Sequence, residues 1–111
     1  MDKILIGAYG ELLASKWLGN RGFTIIDRNY VNGKLEADIL AAKDGVLHIV
    51  EVKTRTLDSG FPMEGAVSRT KLKNMRFMAS RILGADERFN VYKDVSVDVL
   101  LVGIEYIQSV V

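Results

Sequence analysis

Two residues, Asp44-Gly45, constrain this chain more than any other feature. They separate two largely apolar runs, 35–42 and 46–54. Asp-Gly is a strong signal for a two-residue hairpin loop, because both central positions of the favoured turn need positive φ. With that loop in place Lys43 faces Val46, and the rest of the pairing follows: Asp38 falls opposite Glu51 and Glu36 opposite Lys53. Opposed side chains sit about 4.5–5.5 Å apart at Cβ on one face of the sheet. The two-residue period of a strand puts Glu51 and Lys53 on that same face. One small patch therefore gathers Asp38, Glu51, Lys53 and Glu36.

Like charges set across a hairpin destabilise it unless something offsets them. A hard divalent cation such as Mg²⁺ is one solution, since it takes carboxylate oxygens and keeps several waters. Lys53 is another, as an ion-pair partner or as a catalytic group. A third reading needs no site: Glu36 bridges Lys53 and the other charges are solvated. Against that last reading stands the strand's apolar run, Val46, Leu47, Ile49, Val50 and Val52, in which an acid is out of place. Composition narrows the chemistry further. The 111 residues include no cysteine and a single histidine, His48, so thiol catalysis, cysteine-based zinc sites and multi-histidine metal sites are excluded within one chain. His48 falls on the strand face opposite Glu51 and Lys53 and is left out of the site.

The remaining chain supplies the frame. Residues 6–18 have helical spacing of Ala8, Leu12, Leu13, Trp17 and Leu18, and Gly22 suits the left-handed stop. Glu11 falls inside the apolar arc of that helix, where a carboxylate is either paired or aimed into a site. Residues 23–29 read as a strand, 57–62 with Pro62 as a loop, and 64–83 as a second helix whose stripe is Leu72, Met75, Ala79 and Ile82. Trp17, Met75, Phe77 and Met78 are expected in the core. After a polar connection over 85–93, the apolar run 95–102 predicts a strand buried on both faces, with Asp98 as a buried, hydrogen-bonded structural carboxylate. Residues 106–111 form a further short strand or a tail. The order is helix, three strands, helix, strand, which predicts a single α/β domain over 1–111 with a mixed central sheet flanked by helices. No glycine-rich phosphate loop follows the first strand.

The second helix also carries charge. Between Arg69 and Arg81 lie five basic residues, Arg69, Lys71, Lys73, Arg76 and Arg81, and no acid. Arg69, Lys73 and Arg76 share one face, while Lys71 points elsewhere, towards the edge of the apolar stripe, and so could serve the site while the others contact the backbone. With Arg55, these make a phosphate track or an ordinary solvated helix face. Ser68 and Asn74 could add phosphate contacts, and nothing points to reading of base sequence. The formal net charge of +1 conceals this arrangement, since residues 53–88 carry 8 basic and 4 acidic groups.

These residues together resemble the YraN-like family of small bacterial proteins, which is assigned to the restriction-endonuclease-like, or PD-(D/E)xK, nuclease superfamily and is similar to Holliday-junction resolvases. The likeness spans about residues 7–103. It rests on Gly10-Glu11, Arg28-Asn29, Glu36-Ala37-Asp38, the run Val50-Glu51-Val52-Lys53-Thr54-Arg55, Lys71, and Val97-Asp98-Val99. Leu35, Val31 and Ser96 depart from its usual Gly, basic residue and Arg. The resemblance implies a restriction-endonuclease-like core and a metal-dependent DNA endonuclease acting on branched or double-stranded DNA. In it Asp38 and Glu51 would hold Mg²⁺ or Mn²⁺, with the Val52 carbonyl as a further ligand. Lys53 would orient or deprotonate water or steady the phosphate, and Glu11 would hold a second metal or an ordered water. If the resolvase likeness extends to function, two active sites are needed and a two-fold homodimer is expected. The alternatives are a non-catalytic nucleic-acid-binding module on the same fold and a structural interaction protein. No apolar stretch approaches the ~20 residues of a membrane span and no signal peptide is evident, so a cytoplasmic location is expected.

Overall fold

The computed structural model describes residues 3–56 and 67–104. In chain order these form helix α1 (Lys3–Asn20), strands β1 (Thr24–Asn32), β2 (Leu35–Lys43) and β3 (Val46–Thr56), helix α2 (Arg69–Ala85), a 3-10 turn at Glu87–Phe89, and strand β4 (Asp94–Ile104). The expected order of elements is thus the order found, in an α/β fold whose four-stranded sheet runs β1-β2-β3-β4. β1, β2 and β3 are antiparallel neighbours joined by tight turns. β4 pairs parallel to β3, as a strand reached through a helical crossover does. The loop at 57–62, the expected first turns of the second helix at 64–66, and the tail at 106–111 lie outside the described residues.

Local chemistry explains the boundaries. Gly22, at φ +88°, ends α1: its amide and that of Phe23 bond back to the carbonyls of Gly19 and Leu18 at 3.2 and 3.1 Å, the closing pattern of a Schellman motif. Asp44 and Gly45 have φ of 52° and 77°, so the hairpin turn has the two positive φ values expected of it. α1 packs on one face of the sheet, where Ala14 and Leu18 meet Ile39, Ala41, Val50 and Val52. α2 packs on the other, where Met78 and Ile82 meet Leu40, Leu47 and Ile49.

Four expectations need correction. The second helix starts at Arg69, because Ser68 caps it by accepting the amide of Lys71 at 3.1 Å; Val67 and Ser68 are not helical. β4 is an edge strand, with Val97, Val99 and Leu101 exposed; its apolar run reflects one half-buried and one open face. Phe77 and Trp17 are 51% and 47% exposed, outside the core. Conversely, the connection at 85–93 contains Phe89, which is fully buried and meets the Tyr30 ring edge-to-face at 5.7 Å.

Candidate functional site

The site begins where the β2–β3 ladder stops. Pairing runs in the expected register from Lys43 and Val46 to Ile39 and Val50, and no further. Both strands continue, but with other neighbours: β2 stays paired to β1 as far as Leu35, and β3 to β4 as far as Thr56. The sheet therefore forks at Asp38 and Glu51, one step beyond the last pair. Asp38 takes over part of the lost ladder, its Oδ2 accepting the Val52 amide at 2.8 Å. The expected opposition of Asp38 and Glu51 marks the mouth of this fork, whereas Glu36 and Lys53 lie past the end of the ladder, with Glu36 exposed.

Glu51 is the buried charged residue of the described core, at 6% exposure. Lys71 of α2 reaches it with Nζ 3.2 Å from Oε2, and Lys53 lies 3.6 Å from Oε1. Even so, burial and the neighbouring Asp38 charge push the Glu51 carboxyl above its ordinary value, and the two lysines only partly offset them. A buried acid held against another acid is the arrangement in which pKa values are usually perturbed at functional sites.

Glu11 approaches from α1. Its carboxyl is also raised, first by burial and then by Asp38, while Arg28 and a hydrogen bond from Asn29 act in the opposite direction. A close approach of helix and strand puts it there: a Cβ added to Gly10 would collide with Thr54 Oγ1, so only glycine lets α1 cross β3 at this point. Thr54 Oγ1 is itself buried without a hydrogen-bond partner.

Asn29 is a neighbour of the site that motif spacing marked only as a landmark. It lies between Arg28, paired with Ile39, and Tyr30, paired with Ala37, so β1 sets it across from Asp38. Its φ of 55° is left-handed, a conformation that asparagine tolerates better than most residues. The sequence signal was Asn itself inside a strand, where the residue is uncommon.

Of the nine residues expected in the site, the structure brings Asp38, Glu51, Lys53, Lys71 and Glu11 to the fork. Arg55 lies two residues beyond Lys53 and donates to the Thr54 carbonyl at 3.0 Å. Arg69, Lys73 and Arg76 are exposed along α2, away from the carboxylates. His48 lies on the opposite face, bonded to Asp98 at 2.7 Å and edge-on to Phe23. Asp98 also accepts from Ser96 and is half-buried, in keeping with a structural role.

Among the described residues no three His, Cys, Asp or Glu side chains converge into a ready-made metal cage. Of the carboxylates near the fork, Asp38 and Glu51 lie across its mouth and offer oxygen donors only. That suits Mg²⁺ or Mn²⁺, which bind through one or two carboxylates with water and substrate phosphate completing the shell. Such a cation would relieve the Asp38 repulsion that, after burial, raises Glu51. Among the described residues no helix is long and apolar enough to cross a membrane.

Residues 10–102 match the model of the uncharacterised protein family UPF0102. The chain is 40% identical over 83 residues to a UPF0102 protein of Chlorobaculum parvum, covering 74% of this chain and 64% of that one, so it spans under two thirds of that relative's length. It is 40% identical over 101 residues to a UPF0102 protein of Beutenbergia cavernae, covering 90% and 83% of the two chains. With a UPF0102 protein of Treponema pallidum it shares 36% over 86 residues, 78% and 68% of the respective lengths. The match takes in Gly10, Glu11, Asp38, Glu51, Lys53 and Lys71. The chain belongs to the UPF0102, or YraN-like, family.

Proposed function

We propose that this protein is a metal-dependent nuclease of the restriction-endonuclease-like class that hydrolyses phosphodiester bonds in DNA. The observation that carries this reading is the fork. The sheet opens where β2 places Asp38 and β3 places buried Glu51, with Lys53 beside Glu51 on β3. Asp38 and Glu51 would hold Mg²⁺ or Mn²⁺, which supplies a Lewis acid to polarise the phosphate. Lys53 stands 3.6 Å from Glu51 and so can steady a phosphate oxygen as charge accumulates there, or orient the attacking water. Lys71 holds Glu51 in place, and Asn29 holds Glu11. Arg69, Lys73 and Arg76 on the open face of α2, with Arg55, supply the phosphate contacts that position a duplex without reading its sequence.

A specific observation favours a second reading. Lys71 already lies on Glu51 at 3.2 Å, and a lysine there can offset the buried charge with no metal. A nucleic-acid-binding module that does not cleave would keep that pair. Incubation with duplex and branched DNA in Mg²⁺ or Mn²⁺ separates the two. The nuclease reading expects cleavage by the wild type that is lost in Lys53→Ala and Asp38→Asn. Binding without cleavage gives the second reading, and equal cleavage by the wild type and both variants assigns the activity elsewhere.

A further inference from the structure

A groove leads away from the fork along α2, and neither the carboxylates nor the outer basic face of the helix accounts for it. Its first part, of about 370 Å³, lies between α2 and the start of β2 and includes Lys34, Glu36, Lys71 and Asn74. Its second part, of about 620 Å³, shares Lys34, Leu35 and Phe77 with the first and continues to Ser80, Arg81 and Ala85. The two parts form one path. It starts at Lys71, whose Nζ touches Glu51, and ends about 15 Å further along the helix, near Arg81.

Phe77 stands in the middle of this path, lining both parts, with half of its surface exposed. Arg81 lies over its ring at 4.9 Å from the centroid. The ring is thus supported by a cation from its own helix, one turn on. An exposed phenylalanine between cations is unfavourable in water and useful to a ligand with flat aromatic rings and negative charge. Lys34, Lys71 and Arg81 face a single acid, Glu36, along the path. Asn74 and Ser80 add polar groups, although the Ser80 hydroxyl donates to the Phe77 carbonyl at 2.6 Å.

Resting on the reading that the fork acts on nucleic acid, we infer that this groove binds a single-stranded segment of the substrate, with Phe77 stacking on a base and Lys34 and Arg81 holding the flanking phosphates. Base stacking on an aromatic platform, next to cations that track the backbone, is the general mode of single-strand binding. A base stacked inside a duplex has no free face to offer the ring, so the groove selects DNA in which a strand has left the duplex beside the scissile phosphate. The substrate class is therefore a duplex bearing a single-stranded branch or tail of a few nucleotides.

Fluorescence anisotropy in EDTA tests this with cleavage out of play. The probes are a blunt-ended two-strand duplex and the same duplex with a single-stranded DNA tail. The tail is expected to tighten binding by the wild type about tenfold. Phe77→Ala should bind both probes alike, Phe77→Trp should keep the preference, and Lys34→Ala with Arg81→Ala should reduce the salt dependence of the tailed probe alone. Equal affinity of the wild type for both probes, or an intact tail preference in Phe77→Ala, overturns the groove even if metal-dependent cleavage of duplex is seen. A tail preference that depends on Phe77 supports the groove even if no metal elicits cleavage, which would remove the nuclease reading alone.

Discussion

Lys71 Nζ lies 3.2 Å from Glu51 Oε2, so a helix on one face of the sheet places its cation on the carboxylate that the central strand buries. The contact ties α2 to the fork, and it joins the expected metal site to the groove along the helix. Lys71→Met leaves Glu51 with Lys53 alone and should cost about 1–2 kcal/mol at neutral pH, since Glu51 is buried while Lys71 is partly solvated. Adding Glu51→Gln should recover most of that loss. Chemical denaturation of the wild type, both single variants and the double variant measures the coupling. Losses that simply add would show that the pair has no energetic role.

The raised carboxyl of Glu51 makes stability depend on pH in a known direction. Its ordinary value is 4.5, and burial and Asp38 lift it in the fold. The folded protein therefore holds this proton more tightly than the unfolded chain. The resulting contribution to stability is complete below 4.5 and is lost as the pH rises through the higher folded value. In metal-free buffer the melting temperature of Glu51→Gln relative to wild type should be lower or similar at about pH 4 and move upward by about pH 7. A difference that stays constant across that range contradicts the electrostatic picture of the fork.

Asp38→Asn separates the structural from the electrostatic role of Asp38. The amide oxygen can still accept the Val52 amide, which Asp38 Oδ2 now takes at 2.8 Å. Removing the charge relieves its repulsion of Glu51 and Glu11. The metal-free variant should be as stable as the wild type or more so, by up to about 1 kcal/mol. A marked destabilisation would mean that the charge, rather than the hydrogen bond, holds the mouth of the fork.

Gly10→Ala drives a methyl group into the Thr54 side chain, the new Cβ colliding with Oγ1. Overpacking of this kind costs about 1–3 kcal/mol. The double variant Gly10→Ala, Thr54→Ala should regain part of the loss, because it removes the clashing hydroxyl, which has no hydrogen-bond partner to lose. Thermal melts of the three variants check this, and a harmless Gly10→Ala would refute the close crossing of α1 over β3.

Much of this site was legible because a two-residue turn propagates its register without ambiguity. Asp44-Gly45 alone brought Asp38 and Glu51 level, and the structure keeps that register up to the last pair before them. The divergence of the strands just beyond was not legible, because it depends on β2 following β1 while β3 follows β4, a competition between distant partners. Asn29 was marked but given no role for the same reason: its partner Glu11 is on another element. The apolar run in β4 indicated a strand but not its place in the sheet, since an edge strand with an open apolar face reads like a central one. Phe77 illustrates the converse. Helical spacing put it with Met75 and Met78, yet those two are buried and it is not, because the groove beside the β1–β2 turn leaves it uncovered.

Calorimetric titration with Mn²⁺ shows whether the fork holds a divalent cation. Wild-type protein should bind Mn²⁺ saturably, and Asp98→Asn, altered on the opposite face of the sheet, should bind it equally well. Asp38→Asn and Glu51→Gln, folded as judged by their melting transitions, should each lose most of the binding. Unchanged Mn²⁺ binding in both of these variants, or none in the wild type, would contradict the account.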